Sequence, residues 1–246
     1  MYQERLYRKE MGRNLKNFIL VIEETDLWIG ITDGFYSECL ENELEGYIKL
    51  QRDKFKKYLL SHPEFENSLV PTKSLKNAPD FVEEMSKLSY KSDVGPMAGV
   101  AGAFSLLAGR FLKKLGVPQI IVENGGDIYV YGFENLTTGI FAGKSPFSEK
   151  INLEIDLGKK EFGICSSSGT FGHSLSFGKA DLVTVVSENV ILADLLATSF
   201  CNKIKSEEDV EPSLKDLKTF SEVSSGLLIL NDKLGAFGNI KIKRRY

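Results

Sequence analysis

The chain has 246 residues, 42% hydrophobic and 26% charged, a balance that fits a folded globular protein and excludes a disordered or fibrous one. Its 31 Lys and Arg against 34 Asp and Glu leave a formal charge of −3, so no overall positive field favours nucleic acid. Three cysteines (Cys39, Cys165, Cys201) are too few and scattered for a disulfide scaffold or thiolate cluster, and two histidines (His62, His173) exclude a multi-histidine metal cage.

The amino-terminal residues lack the basic-then-apolar pattern of a signal peptide and no apolar run reaches bilayer length, so the expectation is a cytoplasmic protein with no membrane partner. Two apolar runs, 18–22 and 27–31, flank Glu24, Thr25 and Asp26 and predict a hairpin. Over 36–60, Leu40, Leu44, Tyr47, Ile48, Phe55 and Leu59 recur at helical spacing among charges, an amphipathic helix with a break expected near Gly46. Pro63, Pro71 and Pro79 punctuate a polar connector, and Pro79 with Asp80 opens a helix over 81–90.

A second helix is expected to run on from 92–103 through Leu115, closed by Gly116. Gly99 and Gly102 lie inside it, where each glycine costs about 1 kcal/mol relative to alanine. Either a neighbouring element packs closely there, or the two form a small-residue floor beneath a cofactor. Strands are then expected at 117–122 and 128–131 about an Asn124-Gly125-Gly126-Asp127 turn, and at 138–142, 151–155, 162–165 and 182–186. Helices follow at 191–205 and 208–217, with closing strands at 226–230 and 239–243, the last carrying the basic end as a solvated strand. Strands in clusters with helices grouped elsewhere give an α+β fold, read as one domain over 1–246 or as two intimate lobes with no clear linker.

Three segments carry more polar and glycine residues than a core needs. At 124–127 the glycines expose backbone N–H groups beside Asn124 and Asp127, so the corner is either a plain hairpin turn or a cradle for phosphate, ribose or a base edge. The segment 163–179 packs four glycines and five serines with Thr170, Cys165, His173 and Lys179 into 17 residues. That donor density reads as an anion or nucleotide cradle built on Ser167, Ser168, Gly169 and Thr170, with Lys179 as counter-charge; the order of a Walker loop is absent. His173 is placed to move a proton. Cys165 is either a small buried filler or a thiolate whose pKa is lowered by nearby N–H donors. The third segment sets Asp194 and Thr198 at i and i+4 among Ile191, Leu192, Leu195, Leu196 and Ala197. A carboxylate in that company either bonds within the core or joins the hydroxyl as a hard-oxygen ligand for Mg²⁺.

Taken as a set, Asn124-Gly125-Gly126-Asp127-Ile128, the Gly/His loop and Ala193-Asp194-Leu195-Leu196-Ala197-Thr198-Ser199-Phe200 resemble the ApbE-like flavin transferase superfamily. The segments 93–103 and 169–181 are similar to its UPF0280 branch, and the likeness runs from about Leu15 to Ile229. The resemblance implies a T-fold-like arrangement of mixed or antiparallel sheets packed with helices. It also implies Mg²⁺ and FAD, cleavage of the pyrophosphate, and passage of FMN to a Ser or Thr of an acceptor protein. Asp194 and Thr198 would hold the metal, Asn124, Gly125, Gly126 and Asp127 would lie near the flavin, and His173 near the phosphates. The chain departs from the superfamily after His173, where Ser174-Leu175-Ser176-Phe177 replaces a hydrophobic pair and Asp-Pro, and where Asp93-Val94-Gly95-Pro96 replaces a Lys-Gly-x-x-x-Asp segment. An accessory role in sulfur assimilation and homocysteine formation through Cys165, which the branch's membership implies, and an inert flavin- or nucleotide-binding protein are the alternatives. A homo-oligomer is expected on general grounds.

Overall fold

In the computed structural model, residues 14–170 and 177–245 are described. The fold is α+β, with antiparallel sheets packed against helices. Strands β1 (Leu15–Ile22) and β2 (Thr25–Thr32) form the expected hairpin, joined at Ile22 and Thr25 across a two-residue turn. Helices α1 (Glu38–Ser61), α2 (Pro63–Asn67), α3 (Asp80–Ser92) and α4 (Val100–Lys114) follow, α4 being entered through a 3₁₀ turn at Pro96–Gly99. Next come β3 (Ile120–Asn124), β4 (Asp127–Tyr131), β5 (Asn135–Gly139), β6 (Ile151–Asp156), β7 (Glu161–Ser167) and β8 (Leu182–Ser187). Helices α5 (Val190–Lys203) and α6 (Val210–Leu217) then precede β9 (Val223–Leu230), β10 (Lys233–Gly238) and β11 (Ile240–Arg244).

Among the described residues, eight strands form one sheet in the order β1-β2-β3-β4-β7-β8-β9-β10, and β11-β6-β5 form a second. Every pairing is antiparallel. The large sheet is covered on both faces, so its strands read as near-continuous apolar runs whose successive side chains belong to different cores. On β2, Leu27, Ile29 and Ile31 face the helices while Trp28 faces the small sheet; on β4, Tyr129 faces the helices while Ile128 and Val130 face the small sheet. This alternation fixes Asp127, two residues before Tyr129, on the helical side of the sheet. Helix α5 lies centrally there, buried at each residue from Val190 to Cys201, as a helix apolar all round must be.

Four local expectations are corrected. Helix α1 runs unbroken through Gly46, because Leu44, Ile48, Phe55 and Tyr58 keep one buried stripe across it and packing outweighs the glycine's propensity. The connector contains α2, begun by Pro63 and anchored by buried Phe65. Strand β5 lies at 135–139, where pairing with β6 organises a polar sequence, and β10 exists although Gly235 and Gly238 weaken its sequence signal, because its register with β9 supplies the hydrogen bonds. Among the described residues no single helix is long and apolar enough to cross a membrane.

Helix α4 crosses β4 at Gly109, where a Cβ would stand 2.1 Å from Cδ1 of the buried Tyr129 ring. Gly109→Ala should therefore lower unfolding stability by about 1–3 kcal/mol, although alanine favours the helix by about 1 kcal/mol, as read by denaturant titration.

Candidate active site

The hairpin β3–β4 turns on Gly125 and Gly126 with Asn124 paired to Asp127. Both glycines have positive φ, 69° and 107°, the left-handed pair that a two-residue turn of this hand demands. The Asn124 amide donates to the Ala101 carbonyl at 3.0 Å, pinning the corner to the start of α4, and Gly126 N–H donates to buried Glu123 Oε1 at 2.8 Å. Because Asp127 emerges on the helical side, its carboxylate enters the space between α4, α5 and β7.

There it meets Asp194. Each carboxylate is almost fully buried (6% exposed), and they share a hydrogen bond. Asp194 Oδ2 accepts from the Gly102 N–H at 2.8 Å. Asp127 also accepts from the Ser166 N–H and lies beside the Cys165 thiol, yet its Oδ1 is buried without a partner. Burial pushes the protonation of both carboxyls upward, and for Asp127 the neighbouring Asp194 adds to that push. Thr198 lies one turn along α5, also buried. Ser167, on the same face of β7 as Cys165 and along α5, has a buried hydroxyl without a partner. Two buried carboxylates with the Thr198 and Ser167 hydroxyls nearby along α5 and β7, of which Asp127 Oδ1 and Ser167 Oγ are unpartnered, are hard-oxygen groups of the kind compatible with Mg²⁺. Among the described residues no group of three or more His, Cys, Asp or Glu side chains is arranged around a metal position, so a cation here would need remaining ligands from hydroxyls, backbone, water or a substrate phosphate.

The other predicted residues fall in different places. A Cβ on Gly99 would stand 2.9 Å from Leu195 Cγ, and one on Gly102 would stand 2.9 Å from Asp194 Cβ. Helix α5 therefore occupies the space that a cofactor floor would leave open, and these glycines serve the approach of two helices. Gly169 and Gly178 similarly admit backbone: their added Cβ atoms would stand 2.2 Å from Gly178 O and 1.6 Å from Cys201 O. Ser168 and Thr170 bond to each other at 3.3 Å, and Thr170 Oγ1 donates to Asp181 Oδ1 at 3.3 Å, so these hydroxyls brace the loop's own stem. Lys179 is exposed and its N–H bonds Ile204 O at 2.8 Å. That anchor lies ten residues beyond Asp194, about 15 Å along the helix. His173 lies outside the described residues.

Of the two readings of Cys165 the buried filler holds and the lowered thiolate does not: burial, then the charges of Asp127 and Asp194, push the thiol up. Cys165 is a neutral thiol that donates to the Val190 carbonyl, with Sγ 3.5 Å from its oxygen. Sequence reasoning expected the 124–127 corner and the Asp194–Thr198 helix to converge on one pocket, and the two carboxylates do come together; the even spacing of Asp127 from Tyr129 and of Cys165 from Ser167 is what puts the strand side chains on that face.

This chain matches the family described as "AbpE bacteria" over residues 8–219. It is 33% identical over 230 residues to a UPF0280 protein of Methanocaldococcus jannaschii, covering 90% of each chain, and 37% identical over 211 residues to that of Methanopyrus kandleri, covering 85% and 83%. Among solved structures it is similar to the apo flavinyl transferase ApbE of Pseudomonas stutzeri (TM-score 0.62, 18% identity, 91% and 93% covered). It is also similar to the ApbE protein of Thermotoga maritima (TM-score 0.53, 12% identity, 94% and 96% covered).

Of the free cysteines, Cys39 is exposed while Cys165 and Cys201 are buried. Native protein should accordingly expose one thiol to a disulfide reagent, with the other two reacting only on unfolding; rapid native labelling of Cys165, mapped by mass spectrometry, would contradict the buried neutral thiol.

Proposed function

The chain belongs to the UPF0280 family and has an ApbE-like fold, and from that premise we propose that it is a Mg²⁺-dependent dinucleotide-binding protein of the flavin-transferase type, with FAD as its ligand. The observation that carries this reading is the buried Asp127–Asp194 pair with Asp127 Oδ1 left unpartnered. Two adjacent carboxylates in a dry site must share a proton or bind a cation.

Asp127 and Asp194, with Thr198 and Ser167, would hold the cation, which when bound supplies neutralisation of charge on a pyrophosphate. The chain's own residues prepare that site. Gly102 N–H and Ser166 N–H fix the two carboxylates by donating to them. The Asn124–Ala101 bond holds the corner against α4. Among the described residues a Cβ on Gly126 would meet only Ser166 O at 3.9 Å, so within them the corner leaves room for a ligand. Cys165 packs beside Asp127 and keeps its proton, which supports a packing role over nucleophilic attack. Proton transfer at the phosphates is assigned to His173, and the flavin phosphate would pass to a hydroxyl of an acceptor protein.

The test uses the full chain with Mg²⁺ alone, then with FAD. Mg²⁺ should raise the melting temperature of the wild type, and both Asp127→Asn and Asp194→Asn should abolish that rise. AMP and FMN release, followed by chromatography, should fall on the order of 100-fold or more in either variant. A wild-type protein that neither responds to Mg²⁺ or Mn²⁺ nor binds FAD would overturn the proposal.

A further inference from the structure

Helix α1 sorts its cations by side. Arg52 bonds Glu23 at 2.8 Å and also Glu24, Lys56 pairs with Glu23, and Lys49 pairs with Glu45. On the other side of the helix, Lys54 and Lys57 have no ion-pair partner among the described residues. They line a cleft of about 690 Å³ whose opposite wall, the connector before α3, contributes Lys76. Three lysines thus face one aspartate, Asp80, in a protein whose net charge is −3. Unneutralised cations converging on one concavity focus a positive potential there.

Neutral donors accompany them. Tyr47, Gln51, Lys54, Tyr58 and Ser61 fall at i, i+4, i+7, i+11 and i+14, one face of α1. The Tyr58 hydroxyl accepts from the Leu75 N–H at 3.2 Å, which leaves its own proton for a ligand. The amino terminus of α3 opens at the cleft through Pro79 and Asp80, with no side chain capping it, and that helix end adds a partial positive charge. Tyr47 stacks on Phe111 at 4.7 Å between centroids, giving the cleft a fixed aromatic edge. The volume is in the range of roughly 300–1,000 Å³ that holds small ligands.

We propose that this cleft is a second ligand site, for a polyphosphate group such as that of a nucleoside diphosphate, separate from the Asp127–Asp194 site and independent of a metal. No residue is shared between the two: the cleft lies between α1, the connector and the outer side of α4 at Leu107, while the carboxylates lie between α4, α5 and the sheet. The inference goes beyond the function proposed above and does not rest on it.

Calorimetric titration of the full chain with ADP, and separately with inorganic pyrophosphate, in EDTA tests it. Binding of either is expected, weakened about tenfold by Lys54→Gln and by Lys76→Gln and left unchanged by Asp127→Asn. Equal affinity for both would place recognition in the phosphates, and tighter ADP binding would add the ring; either result supports the proposal. No binding, binding indifferent to both lysine changes, binding lost in Asp127→Asn, or binding of an RNA oligonucleotide without ADP would overturn it. Circular dichroism and melting of each variant separate lost binding from lost folding.

Discussion

The organising constraint is the burial of a carboxylate in the middle of the most apolar helix in the chain. Asp194 is surrounded on α5 by Ile191, Leu192, Leu195, Leu196 and Ala197, all fully buried or nearly so. An unpaired ion there would cost several kcal/mol, so the surrounding elements must bring it polar partners. The nearest is a backbone N–H of α4, reachable only because residue 102 has no side chain to hold the helices apart. The same bond that satisfies Asp194 therefore sets the spacing of α4 and α5.

From the sheet side, the pleat of β4 and β7 completes the cluster. Alternation puts Asp127, Cys165 and Ser167 on the helical face, while their neighbours Ile128 and Ile164 enter the second core against the small sheet. Asp127 receives the Ser166 N–H and has the Cys165 thiol beside it but still has one oxygen without a donor. Asp127 differs from Asp26, another buried aspartate with one unpartnered oxygen, in having a second buried carboxylate beside it, and it is on that pairing that the proposed cation site rests.

The polar loop from 163 onward illustrates how composition mixes two purposes. Gly163 lies against Val190, Gly169 against Gly178, and Gly178 against the carbonyl of Cys201. Ser168 and Thr170 brace the stem through each other and Asp181. Within the described residues, then, the glycines of this segment serve close backbone packing, and of its serines only Ser166, through its N–H, reaches a carboxylate. Hydroxyl and glycine density alone could not separate the bracing residues from the ligand-facing ones, since both needs select the same small side chains.

The sequence by itself determined the element types, through apolar periodicity, and the candidate carboxylates, through the cost of Asp194 in an apolar helix and the turn chemistry of Asn124 to Asp127. It also carried the family likeness that the comparisons bear out. It did not determine β10, the unbroken course of α1, or the raised thiol of Cys165. Strand pairing, the stripe across Gly46 and the charges around a buried sulfur are properties of neighbours distant along the chain. The family likeness led to the expectation that the 124–127 corner and the Asp194 helix converge, but only the tertiary structure decided that Asp127 Oδ1 is left without a partner there and that the space over Gly99 and Gly102 is filled by α5. It likewise decided that Lys54, Lys57 and Lys76 converge while Lys179 stands apart. Each of these depends on how elements cross in space, and local spacing fixes a side chain's face without naming what lies opposite.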